Sequence, residues 1–261
     1  MESIQIIREK LKSIVDREDP YVKNLLKDER KGVKKALLQW DKQLEKRMAR
    51  QAHFEEMKIF ETKAYEDGYT GVIGVDEVGR GPLAGPVVVA AVKLPWPLTV
   101  DVGLNDSKLL NAKDRVRIAE WVKENALAYA IVERDNRAID QSNILAMTKE
   151  AMQEAILKVA DANDFVLIDS VGLDIPYGQA HPDKGDQKSL SIAAASCLAK
   201  VYRDQLMMEF DKQYPVYDFC HNMGYGTKNH LEGLKKYGPS PIHRLSFAPV
   251  SHFSNRLKKE P

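Results

Sequence analysis

Two periods of apolar positions divide this 261-residue chain. Through residue 70 the sequence is dense in charges of both signs, and its apolar residues recur at helical spacing. Ile7, Leu11, Ile14 and Val15 form one stripe, Asp19 and Pro20 interrupt it, and Val33, Leu37, Trp40, Leu44 and Met48 form another. The pattern predicts a small helical region over residues 1–70, read as a solvated helical hairpin, with a substrate- or partner-binding arm as the alternative. From residue 71 short, nearly continuous apolar runs take over. Residues 71–75 and 87–92 read as buried strands, with a loop between them short enough for antiparallel pairing. Residues 127–134 and 165–168 supply two more strands. Helices are expected after residues 104–110 through Trp121, over 143–159 with Ile144, Met147, Ala151, Ala155 and Ile156 inward, and over the long segment from residue 189. In that segment Ala193, Ala194, Ala195 and Ser196 allow close approach to a sheet. A further helix is capped by Thr227 and stopped by Gly238 and Pro239.

At 44% hydrophobic and 30% charged, the chain can bury one good core and carry a small appendage. No apolar run approaches the roughly 18 residues of a membrane span, and the early charges Glu2, Arg8, Glu9 and Lys10 leave no secretory apolar core. The expectation is a cytoplasmic protein with no membrane partner. Cys197 and Cys220 form no C-x-x-C and are expected free and reduced. Lys plus Arg (39) nearly balance Asp plus Glu (38), so bulk charge makes no case for nucleic acid.

The chemistry concentrates in GVIGVDEVGRGPLAGPVVVAAV, residues 71–92. Asp76 and Glu77 stand where an interior strand is expected to stop. Unpaired charges beside a core cost several kcal/mol or become protonated, and a divalent cation is one partner that prevents this. Successive strand residues point to opposite faces, so the two carboxylates share a cluster only if the strand bends or ends there. Gly79, Gly81 and Gly85 supply that freedom. Read as an isolated pair, Asp-Glu is an ordinary turn. The G-x-G-x-x-x-G spacing matches neither a dinucleotide nor a Walker loop, and no helix follows. A second buried strand, 165–168, also ends in a carboxylate, Asp169. Ligands gather outside the carboxyl ends of strands in open α/β sheets. Asp186 precedes the long helix, where spacing alone suits an N-cap equally well. Lys200 and Arg203, about one helical turn apart, could face phosphates or solvent. Cys220, His221 and His230 fit no common zinc spacing.

GVDEVGRGPLAGPV closely resembles the signature of the type 2 ribonucleases H, the ribonuclease HII family. LNDSKLL (104–110) is similar to that family's L-x-D-S-K-K-L, with Leu109 in place of the second lysine. DKGDQKSLSIAAAS resembles its K-G-D context before S-I-A-A-A-S, HNMGYGTKNH its K-G-Y-G-T-K-E-H with Met223 in place of the lysine, and IHRLSFAPV its closing segment. The resemblance begins near residue 70. It implies a ribonuclease H-like α/β domain over 71–250, a mixed sheet of about five strands flanked by helices, between the helical extension 1–70 and a basic tail 251–261 carrying Arg256, Lys258 and Lys259. It further implies an endonuclease for the RNA strand of RNA/DNA hybrids that also nicks duplex DNA at embedded ribonucleotides. Asp76, Glu77, Asp169 and Asp186 would hold two Mg²⁺ or Mn²⁺ ions. Main-chain groups of Gly79, Arg80 and Gly81 would read the 2′-hydroxyl, Tyr225 would lie beside the sugar, and Ser107 and Lys108 would approach the backbone. Two rivals are another two-metal nuclease or transferase of this fold class, such as a Holliday-junction resolvase or integrase, and a hybrid-binding protein without catalysis. Cleavage of all-DNA substrates favours the first; retention of all four carboxylates argues against the second.

Overall fold

The computed structural model describes residues 2–169 and 171–257. The chain divides into two compact units, Met1–Glu56 and Met57–Pro261. In the first, α1 (Ile4–Ser13), α2 (Pro20–Leu25) and α3 (Lys31–Glu56) surround their own core of Ile7, Leu11, Val22, Leu25, Val33, Ala36, Leu37, Trp40 and Leu44. Asp19 caps α2 by accepting from the Tyr21 amide, and Pro20 occupies its first turn, where no amide is needed. The two predicted stripes are present but shorter: Val15 and Met48 are exposed, because α1 ends at Ser13 and the core of this unit ends at Leu44.

The second unit opens with α4 (Ile59–Glu66), which the sequence reading grouped with the extension. Ala64 packs with Val72, Leu167 and Ile192, so this helix belongs to the sheet's own core. The strands are β1 (Gly71–Val78), β2 (Val87–Lys93), β3 (Ala128–Arg134), β4 (Asp164–Ile168) and β5 (Gly178–Ala180). They form a mixed sheet in the order β3-β2-β1-β4-β5. β2 pairs antiparallel with both β1 and β3, while β4 runs parallel to β1 and β5. The first four strands follow the apolar runs. β5 is three half-buried residues and carries no such signal.

One face of the sheet, built from Ile73, Val75, Val89, Ala91, Val132, Val166 and Ile168, is covered by α7 (Ile144–Val159) through Ala151, Met152, Ala155, Ile156 and Val159. The other face receives α8 (Leu190–Gln213), almost entirely buried along its first ten residues and flanked by α5 (Ala112–Asn125). Contact is closest at Gly74, where a Cβ would stand 1.9 Å from the Ser191 carbonyl carbon. α6 (Asn136–Gln141), α9 (Phe219–Asn222), α10 (Lys228–Tyr237) and α11 (Val250–Leu257) complete the unit. Residues 104–110 lead, as expected, into a helix through Trp121: α5 is capped by Asn111 and continues to Asn125. The expected basic tail is helical through Leu257; Lys258 and Lys259 lie outside the described residues. Among the described residues no helix is long and apolar enough to cross a membrane.

Candidate active site

Strand β1 does not stop at Asp76. It stays paired with β2 through Val78, whereas its pairing with β4 ends at Val75↔Ile168. The sheet therefore opens on one side of β1 at the point where Asp76 and Asp169 emerge from adjacent parallel strands. The Asp169 amide donates to the Val75 carbonyl at 3.2 Å, holding the two strand ends together. Asp169 Oδ1 accepts from the Gly185 amide at 2.7 Å, which brings the next residue, Asp186, to the same opening. Asp186 lies in a 3₁₀ turn, residues 185–187, and is not the N-cap of α8; Ser189 caps that helix by accepting from Ile192 N.

Burial sets the electrostatics. Asp76 is 7% exposed, and its carboxyl is raised well above the usual range by loss of solvent and then by the charge of Glu77, against a hydrogen bond from Ser196. Burial raises Glu77 as well, opposed mainly by the Arg80 cation. Asp186 is pushed up to about 6 by burial and by Asp106. Asp106, a fifth carboxylate, is itself held below its ordinary value: burial works against ionisation but is outweighed by donors from Lys108 N and Gln187. Lys108 reaches Asp186 at 3.9 Å with its side chain largely in solvent.

No three of the four predicted carboxylates bring ligand atoms within 4.8 Å of one another among the described residues. Burial first, and then neighbouring carboxylate charge, opposes ionisation of Asp76, Glu77 and Asp186. The donor set nevertheless fits a hard divalent cation. It consists of carboxylate oxygens, and Glu77 Oε2 is buried without a hydrogen-bond partner, an arrangement that costs free energy unless a cation satisfies it. The trio that does converge, Asp218, Cys220 and His221, is elsewhere and partly exposed. His230, which the sequence set beside Cys220, is instead buried and bonded to His243 at 2.8 Å.

The glycine loop lies next to the opening. Gly79 has φ +93°, and a Cβ there would meet Arg203 Nε at 2.2 Å. A Cβ on Gly81 would lie 3.5 Å from Cε1 of Tyr225, so the ring packs against this loop. Tyr225 is 49% exposed and is no core tyrosine. Arg80 directs its guanidinium to Glu77 at 3.5 Å.

Two expected phosphate contacts are corrected. Arg203 is fully buried, with its guanidinium donating to the carbonyls of Pro86, Ala84 and Met223; close packing of α8 on the sheet turns it inward. Ser107 is 4% exposed and bonds Ser196 Oγ at 2.9 Å, which places it behind Asp76 rather than on a surface. Lys200 is paired with Asp204 at 2.6 Å on its own helix.

The ribonuclease HII family model matches residues 73–250, and that family's N-terminal domain model matches residues 3–65. This chain belongs to the ribonuclease HII family. It is 49% identical to ribonuclease HII of Listeria monocytogenes serotype 4b over 249 residues, 95% of both chains. Two solved structures share the fold. Ribonuclease H2 from Pyrococcus horikoshii OT3 has a TM-score of 0.63 at 23% identity, covering 73% of this chain and 100% of that one. Bst-RNase HIII in complex with Mn²⁺ has a TM-score of 0.60 at 20% identity, covering 76% and 73%. The chain is thus a ribonuclease with a ribonuclease H-like catalytic unit.

Arg244 is a further residue of the site that no sequence motif singled out. It is fully buried and donates to the carbonyls of Gly79, Arg80 and Gly85. The only signal is its position in IHRLSFAPV, the segment that resembles the family's closing one. Glu61, 1% exposed, was missed too: it accepts from Ser189 Oγ at 2.6 Å and Ser191 N at 2.9 Å at the start of α8.

Proposed function

We propose that this chain hydrolyses the RNA strand of RNA/DNA hybrids and nicks duplex DNA at embedded ribonucleotides, leaving 3′-hydroxyl and 5′-phosphate ends. The observation that carries the reading is the opening beside β1. There Asp76 emerges next to Asp169, Gly185 N bonds Asp169, and Tyr225 packs on Gly81 of the adjoining loop. Asp76, Glu77, Asp169 and Asp186 would hold two Mg²⁺ or Mn²⁺ ions, a reading supported by their all-oxygen donors and the orphaned Glu77 Oε2. When bound, such ions supply an activated water and stabilise charge on the leaving 3′ oxygen.

The protein's own part is positional. Asp169 is bonded to Val75 and Gly185, which ties the strand ends to the 185–187 turn. Lys108, extended into solvent beside Asp186, offers a cation to the phosphate backbone. The main chain of Gly79–Gly81 would face the ribose, with the half-exposed Tyr225 ring packed on Gly81 beside the sugar, which favours a ribose whose 2′-hydroxyl both donates and accepts. A gel comparing three substrates with Mg²⁺ and with Mn²⁺ tests the reading: a DNA duplex, the same duplex with one ribonucleotide, and an RNA/DNA hybrid. Metal-dependent cleavage of the last two is expected; cleavage of the all-DNA duplex at a similar rate would overturn it.

A further inference from the structure

Two buried guanidiniums underlie the loop proposed to read the ribose. Arg203 of α8 donates to Pro86 O at 2.9 Å, Met223 O at 2.9 Å and Ala84 O at 3.2 Å. Arg244 donates to Gly85 O through Nε at 3.0 Å and Nη2 at 2.9 Å, to Arg80 O at 2.9 Å and to Gly79 O. Among the described residues neither side chain has an ion-pair partner, and both are fully buried. Burying two cations without carboxylates is costly, so their carbonyl ligands must be held in place to solvate them. Burial pulls Arg203 down to about 10 and Arg244 to about 9, and both remain cationic at neutral pH.

The peptide plane converts this into a statement about the other side of the loop. In a trans peptide the carbonyl of one residue and the amide of the next point in opposite directions. With the carbonyls of Gly79 and Arg80 turned to Arg244, the amides of Arg80 and Gly81 are turned away from it. Among the described residues neither amide donates to a protein acceptor. Arg203 adds a second restraint, since its bond to Met223 O joins the 79–86 loop to the segment leading to Tyr225. Backbone bonds from Leu83 N to Gly224 O at 2.8 Å and from Arg244 N to Leu83 O at 2.9 Å run in parallel with it. Gly79 is demanded by the same contact, because any Cβ would occupy the place of Arg203 Nε.

We infer that Arg203 and Arg244 are positioning residues for ribose selectivity: they aim the Arg80 and Gly81 amides outward as donors and hold Tyr225 in register with them. The inference rests on the ribose-reading role proposed above. Lysine cannot reproduce it, since an ammonium lacks the planar fork that engages several carbonyls at once.

The test uses the full chain with Mg²⁺ and a duplex containing one ribonucleotide. Arg244→Lys should lower the single-turnover rate at saturation by about 100-fold, the size of effect expected from an ångström-scale misplacement, while changing the dissociation constant by less than about threefold. Arg203→Lys and Tyr225→Ala, combined, should be no slower than the slower single variant, because one acts through the other. Should the lysine variants fail to fold by circular dichroism, amide hydrogen exchange on full-length Asp76→Asn supplies the second measurement. The Arg80 and Gly81 amides should gain protection on binding the ribonucleotide duplex and not the all-DNA duplex. Wild-type cleavage at the ribonucleotide together with unaltered rates in folded lysine variants, additive losses in the cycle, or no difference in amide protection, overturns the inference alone. Failure of the wild type to cleave at the ribonucleotide overturns the proposed function itself.

Discussion

At the scale of single residues, the site depends on side chains whose ionisation is opposed by their surroundings. Asp76 is raised by burial and by Glu77, a state that a bound cation reverses. Asp76→Asn should therefore abolish measurable single-turnover cleavage while duplex affinity stays within about tenfold, as expected for a group acting mainly in the transition state. Near-normal turnover at saturating Mg²⁺ would remove Asp76 from the ligand set. The His230–His243 pair is a residue-scale device of the opposite sign. Ser240 N donates to His243 Nδ1, so His243 donates from Nε2 to His230, which in turn donates from Nδ1 to Tyr225 O. Burial depresses His243 to about 3, and a proton on its acceptor Nδ1 would displace the Ser240 amide. An unfolded histidine takes up its proton below about pH 6.5 and the folded one resists, so this group's stabilisation is complete above that pH and is lost as pH falls. Between pH 7.5 and 5 the loss is about 2 kcal/mol from this residue. In His243→Asn the drop in unfolding free energy over that interval should be smaller by about this amount, measured in urea with chelator present. Equal drops would mean that His243 titrates normally in the folded protein.

Among elements, the decisive contact is α8 on β1. Glycine at 74 lets the helix backbone reach the strand, and a methyl group there would collide with the Ser191 carbonyl. Gly74→Ala should cost about 1–3 kcal/mol or more, the range for overpacked cores, and should impair the site, since α8 carries Ser196 and follows Asp186. Glu61 fixes the same helix end from α4. Its removal strands the buried Ser189 hydroxyl and Ser191 amide, so Glu61→Ala should cost about 1–3 kcal/mol in urea denaturation at unchanged m. A midpoint equal to wild type in either variant would show that α8 is held by other contacts. These restraints were invisible in one dimension: Glu61 lies more than 120 residues before its partners, in a stretch that reads as surface helix.

For the whole molecule, each unit has its own buried cluster, and all the residues assigned to chemistry lie in Met57–Pro261. A chain beginning at Met57 should fold and cleave with a single-turnover rate within about an order of magnitude of the full chain. Its losses should appear as weaker, less salt-dependent binding, because the missing unit carries Lys34, Lys35, Lys42, Arg47 and Arg50. A chain beginning at Lys63 should be less stable, since it lacks Glu61. A folded Met57 chain with no cleavage at saturating substrate would show that the first unit helps build the site. The sequence by itself determined the helical first segment, four of the five strands and the antiparallel β1–β2 pair, because apolar periodicity and a short connecting loop are local signals. Tertiary structure decided the rest. Whether Arg203 faces phosphate or core depends on how closely α8 approaches β1, and Ser107 is buried because Ser196 lies opposite it. β5 is too short to show a period, and Arg244 acquires its role only by meeting carbonyls about 160 residues away. Burial and hydrogen-bond partners across such separations are properties of packing, and no local pattern encodes them.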